Sequence, residues 1–120
     1  MATVDLIKQR QSVVTEMDNV IIEKNLETMI GGVTLNVSDF NEDVITAGYP
    51  VIKDSEEYKV SLSSGDASKV VGYVVASVPK TMPLVAVMVR GTINTKAFQN
   101  ATGKEIPTEF KSKSNLIRFV

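Results

Sequence analysis

The chain has no cysteine, no histidine and no tryptophan, and only four prolines in 120 residues. Without cysteine there is neither a disulfide framework nor a thiolate metal site. The further loss of histidine removes the usual general base and the commonest imidazole ligand. Carboxylates and lysines remain, but no enzyme activity, cofactor or metal site is expected. Ser77 and Lys80 offer one nucleophile and base pair by spacing, and both lie at a turn, where polar residues are ordinary. Met1 to Arg10 contains Asp5, Lys8 and Arg10 and no apolar segment, so no signal peptide is expected. No apolar run reaches the roughly 20 residues of a membrane helix, because Val70 to Val89 is interrupted by Gly72, Pro79, Lys80 and Pro83. No membrane partner is expected either.

Charge is balanced in total and segregated along the chain. Residues 1 to 60 carry five Lys/Arg against eleven Asp/Glu, and residues 61 to 120 carry eight against three. Such halves neutralise each other within one fold or pair head to tail between copies. The basic half is too sparse in cations for a nucleic-acid footprint, and its rings are limited to Tyr73, Phe98, Phe110 and Phe119. No nucleic-acid partner is expected.

Two apolar, β-branched runs dominate the chain, Val70 to Val78 and Leu84 to Ile93, joined by Pro79, Lys80, Thr81, Met82 and Pro83. This is a hairpin pattern. In the second run both alternating faces stay apolar until Arg90, which predicts a strand buried on both sides. A second hairpin is expected over Val44 to Leu62, turning at Lys53 to Glu57. Thr95 to Gly103 reads as one or two helical turns ended by glycine, and Asn115 to Val120 as an alternating strand. The predicted class is mainly β, a β-rich α+β chain: a small sandwich or barrel-like hairpin domain with a short helix.

Residues 1 to 45 read differently and are expected to form an N-terminal arm ahead of a β-rich domain at 46 to 120. Leu6, Val13, Met17, Val20 and Ile21 approximate a helical stripe within Asp5 to Glu27, although the β-branched pairs weaken it. This segment is expected as a packed helix or as an extended arm that orders on a partner, with Gly31-Gly32 as the hinge. After the hinge, Val33, Leu35 and Val37 alternate as a short strand. The acidic run Asp39, Glu42 and Asp43 is no calcium loop, because Val44 and Pro50 stand where glycine and the closing glutamate are required. Gly103-Lys104 is no phosphate loop, since Phe98 and Glu105 occupy two required positions.

From Ala47 onward the chain runs AGYPVIKDSEEYKV, then KVVGYVVASVPKTMPLVAVMVRGTIN, then TKAFQNATG, then PTEFKSKSNLIRFV. This order, with its V-G strand and its paired strand ending in Arg90-Gly91, resembles the lambda-type head decoration protein family of tailed bacteriophages. The resemblance implies a structural cement on the exterior of an icosahedral capsid. It implies a homotrimer that binds the expanded shell and bridges subunits of the major capsid protein, after synthesis in the host cytoplasm. The first 45 residues are longer than the arm of the simple decoration proteins, so the anchoring part of a head fibre remains an alternative, as does a small β-barrel binding module. Within this reading Leu6, Val13, Met17, Val20 and Ile21 are the expected shell-docking residues. Arg90, Lys96, Lys111 and Lys113 are expected to face Asp39, Glu42 and Asp43 of a neighbouring copy.

Overall fold

The computed structural model describes residues 18–120. They form a mostly β body with three short helices, in agreement with the β-rich α+β class. In chain order the elements are α1 (Asp18–Ile21), β1 (Ile22–Thr28), β2 (Val33–Thr34), β3 (Val44–Ile45), β4 (Pro50–Asp54) and β5 (Glu57–Val60). A 3-10 helix (Ser64–Lys69) leads into β6 (Val70–Val74), β7 (Val78–Pro79), β8 (Leu84–Val85) and β9 (Val87–Ile93). Helices α2 (Thr95–Thr102) and α3 (Thr108–Lys113) precede β10 (Ile117–Phe119).

β9 is the axis of the body. One of its edges carries β1 antiparallel along its whole length. The other edge is shared: β6 pairs antiparallel with Val87 and Met88, and β10 pairs parallel with Gly91 to Ile93. The sheet continues from β6 through β4 to β5. From β5 the path turns back, since Leu35 bridges Tyr58, and Leu35 follows β2, which pairs with β8 at the entrance to β9. The ring so closed is barrel-like, and closure of this kind leaves no long bare edge on β5.

Alternation decides what fills it. Val33, Leu35, Val51, Val74, Val85 and Val87 are buried, and so are Met88, Ile93, Phe98 and Phe110. Tyr49 bridges two aromatic neighbours edge to face, Phe40 at 5.6 Å and Phe98 at 5.3 Å between ring centroids. Two glycines permit close packing of strands. A Cβ on Gly72 would strike Val87 and the Met88 carbonyl, and one on Gly91 would strike the Lys24 carbonyl and the Met88 sulfur. These are the glycines of the V-G and R-G motifs.

The hairpin of β6 and β9 forms as expected at Tyr73, Val74 and, through the Val75 amide, Ala86. Its far end splays, because β7 leaves to pair with β3 and β8 leaves to pair with β2. The second run is therefore not buried on both faces throughout, and Leu84 is 61% exposed. The second hairpin is β4 and β5, turning at Ser55, which adopts φ 58°. Asn94 caps α2 by accepting from the Ala97 amide at 3.0 Å, and Gly103 ends it in the left-handed region at φ 72°. A helix at Thr108–Lys113 is not expected from the sequence; Pro107 stands at its N-terminus.

The N-terminal expectation changes most. Among the described residues of 1–45 helix covers only Asp18–Ile21, and Ile22–Thr28 is strand, consistent with the β-branched Val20, Ile21 and Ile22. Gly31-Gly32, both at positive φ, is not a hinge between arm and body. The chain before it pairs with β9 and the chain after it pairs with β8, so the glycines form a bulge in one long ribbon. The described part of residues 1–45 is thus bonded into the sheets of 46–120.

Candidate functional site

The described surface carries several open clefts. An open cleft of about 130 Å³ lies where β6 and β10 diverge from β9, lined by Val70 to Tyr73, Val89 and Lys113 to Ile117. Tyr73 closes its floor, with its hydroxyl 2.8 Å from Ser114 Oγ. Burial pushes the Tyr73 phenol up to about 12, opposed only by the Ser114 hydrogen bond. A second cleft, of about 270 Å³, is lined by Glu42, Asp43, Val44, Thr46, Tyr49, Ala101 and Thr102. There burial raises the Tyr49 phenol while the adjacent Lys104 ammonium partly offsets the rise. Lys104 also pairs with Glu42 at 3.5 Å.

Ser77 and Lys80 do not form a reactive pair, because each is held by other groups. The Ser77 hydroxyl donates to Asp18 Oδ1 at 2.6 Å and accepts from the Ala47 amide at 3.0 Å. Lys80 Nζ donates to the Phe40 carbonyl. Among the described residues no three His, Cys, Asp or Glu side chains are grouped to hold a metal. None of the described helices is long and apolar enough to cross a membrane. Tyr73, Phe98 and Phe110 are fully buried, and Phe119 packs edge to face on Tyr73 at 5.6 Å. None of these rings is a free stacking platform.

What the body does present is surface. Of the expected docking residues, Leu6, Val13 and Met17 lie outside the described residues. Val20 is 44% exposed, whereas Ile21 is in the core. β1 is exposed on both faces from Glu23 to Glu27. Its register against β9 shifts three times, and Glu23, Lys24 and Glu27 project from it. Bulges and charges of this kind keep an edge from pairing indiscriminately.

The expected inter-copy cations are divided by the sheet. Lys111 lies on the helical side, with its Nζ 5.9 Å from the centre of the Phe119 ring, and Lys96 and Lys113 are carried by α2 and α3. Arg90 is on the opposite, outer face. There it is joined by two residues the sequence reading did not select. Lys24 on β1 and Arg118 on β10 both stand directly opposite Thr92 of β9, and Thr92 shares a face with Arg90 two residues away. Lys24 was hidden in a stretch read as helix. Arg118 was legible from its alternation with Ile117 and Phe119. Asp39, Glu42 and Asp43 are all exposed on the loop before β3, which is held by Lys80 and Lys104.

Neither a scan against protein-family models nor a search of curated proteins finds a match to this chain.

Proposed function

We propose that this chain is an auxiliary capsid protein of a tailed bacteriophage. It binds the outside of the expanded icosahedral shell as trimers and cements neighbouring subunits of the major capsid protein. The observation that carries this reading is the agreement between the motifs behind the resemblance and the places they occupy. The hairpin, V-G strand, R-G strand, helix and final strand follow one another as β4–β5, β6, β9, α2 and β10. Both motif glycines stand where any Cβ would strike a neighbouring strand.

The physical task suits such a body. A cement needs a rigid scaffold and exposed contact surface, and no reactive centre. It acts by mass action: a ligand that binds only the intact shell stabilises it by about 2.7 kcal/mol per site at a free concentration of roughly 100 times its Kd. Residues 1–17 are the docking segment in this reading. Asp18, which follows them in the chain, is fixed to Ser77 through its carboxylate.

Co-sedimentation of the full chain with expanded shells lacking it tests the proposal. Saturable binding with bound copies approaching one per shell subunit supports a cement. A few copies per shell replaces it with a fibre anchor, and no binding removes the capsid role.

A further inference from the structure

The cleft of about 270 Å³ beside Tyr49 is lined by the Glu42 and Asp43 carboxylates, the Thr46 and Thr102 hydroxyls and the Tyr49 phenol, with no lysine or arginine among its lining residues. It is a cleft of hydrogen-bond acceptors. Ala101 and Thr102 form one wall of it, and they belong to the last turn of α2, which contains no basic residue. The C-terminal end of a helix carries partial negative charge, so carboxylates and helix end favour a cation together.

Tyr49 shows which kind of cation this place holds. Its side chain is 3% exposed and its ring is fixed edge to face between Phe40 and Phe98. The polar side chain beside its phenol is Lys104, whose ammonium also pairs with Glu42 at 3.5 Å. Lys104 reaches these groups from a neighbouring cleft of about 190 Å³, which Glu42 and Tyr49 line as well. An alkylammonium supplied by the chain itself therefore already stands against Glu42 and Tyr49. The other side of the same two groups is open, and Asp43 is added there. Lys80, the second cation on this loop, is turned to the backbone: its Nζ donates to the Phe40 carbonyl and its amide to the Asp43 carbonyl. The Asp43 carboxylate makes no ion pair among the described residues.

We propose that this cleft binds a primary alkylammonium ion, held by the Asp43 and Glu42 carboxylates and the Tyr49 oxygen, in competition with the chain's own Lys104. A primary ammonium has three N–H donors, one for each of these groups. Donation from a cation to carboxylates gives the stronger class of hydrogen bond. The volume of about 270 Å³ admits an unbranched chain of lysine length and lies below the roughly 300 Å³ at which pockets for larger ligands begin. Two carboxylates fall short of the about six to eight oxygens that calcium requires, and among the described residues no third acidic side chain joins them. The ammonium comes from a lysine of a partner protein or from a free polyamine, and the chemistry that recognises it is the same. The inference stands apart from the capsid reading.

Titration of the ¹⁵N-labelled full chain with n-butylammonium chloride, followed through its amide signals, is the test. Tetramethylammonium chloride at equal ionic strength is the control, because that ion has no N–H to donate. Saturable shifts at residues 42–49 and 101–102 are expected with n-butylammonium alone. Glu42→Gln with Asp43→Asn, and separately Tyr49→Phe, are each expected to weaken binding about tenfold. Lys104→Met is expected to strengthen it severalfold, a gain that misfolding does not produce. Glu42, Asp43 and Lys104 are exposed, and a circular dichroism melt establishes that Tyr49→Phe folds. Tighter binding of spermidine than of acetyl-Ala-Lys-Ala-amide assigns the site to a free polyamine, and the reverse order assigns it to a lysine side chain. Absence of saturable shifts overturns the inference, as does an equal response to both salts. So does weaker binding by Lys104→Met, or magnesium chloride shifting these amides where n-butylammonium does not.

Discussion

Asp18 and Ser77, 59 residues apart in the chain, are joined by two hydrogen bonds to one carboxylate. The Ser77 amide donates to Oδ2 at 2.8 Å, and its hydroxyl donates to Oδ1 at 2.6 Å. Ser77 is the one buried polar residue in the described core, and its Oγ also accepts from the Ala47 amide. The clamp ties α1 to the stretch between β6 and β7, and so fixes the start of the ribbon. Ser77→Ala deprives both the Asp18 carboxylate and the Ala47 amide of a partner. Loss of about 1–3 kcal/mol is expected in urea unfolding, with an unchanged m value.

The two motif glycines and the helix-ending glycine separate steric from conformational demands. Gly91→Ala forces a methyl into the Lys24 carbonyl and the Met88 sulfur, in the middle of the β1 and β9 pairing. It is expected to destabilise by about 3 kcal/mol or more through overpacking, because one of the atoms struck is backbone. Gly103→Ala meets no atom within 4 Å and bears only the strain of φ 72°. About 1–2 kcal/mol is expected there. Chemical denaturation of the two variants side by side checks the order, and an equal loss would remove the close-approach account of Gly91.

Tyr73 makes the fold sensitive to alkali. Its phenol ionises near 10 when exposed and at about 12 in the folded body, because burial disfavours the phenolate. The folded state holds its proton more tightly than the unfolded state does. The contribution to stability is therefore intact below pH 10 and declines as pH rises from 10 to 12. The loss amounts to about 2–3 kcal/mol at the top of that window. Tyr49, also raised by burial, adds to the same trend. Unfolding free energies measured between pH 8 and 12 are expected to fall over this range, and Tyr73→Phe to flatten the curve while losing the Ser114 hydrogen bond at every pH.

Truncation at two points distinguishes the docking segment from the body. Removing residues 2–17 is expected to leave a cooperative thermal transition, since the Asp18 clamp, Ile21 and β1 remain. Removing residues 2–28 deletes all three and uncovers the β9 edge along its length, so a large loss of stability or insolubility is expected. If the shorter deletion binds shells as tightly as the full chain, residues 1–17 are not the docking segment.

Much of the fold was legible because local chemistry and tertiary context agreed. Asn94 and Gly103 bracket a helix, alternation marks Ile117 and Phe119, and a polar five-residue stretch contains the β4–β5 turn. The failures fall where tertiary pairing outweighed local pattern. Ile22–Thr28 carries charges at nearly helical spacing, but β9 offers a full strand edge, and pairing with it decides the conformation. Gly31-Gly32 looks like a hinge in any linear reading. Only the fact that β8 and β9 form nearly one strand shows it to be a bulge. The same blindness hid Lys24, since a cation on a strand facing Thr92 has no local signature. Arg90 was found because its own strand was read correctly.

Calorimetry of expanded shells, with and without saturating protein, tests the cement role most directly. The account predicts that shell melting moves to higher temperature as sites fill, that the shift grows with free protein concentration, and that it disappears when residues 2–17 are removed. Shells fully loaded with this chain that melt at the temperature of bare shells would contradict it.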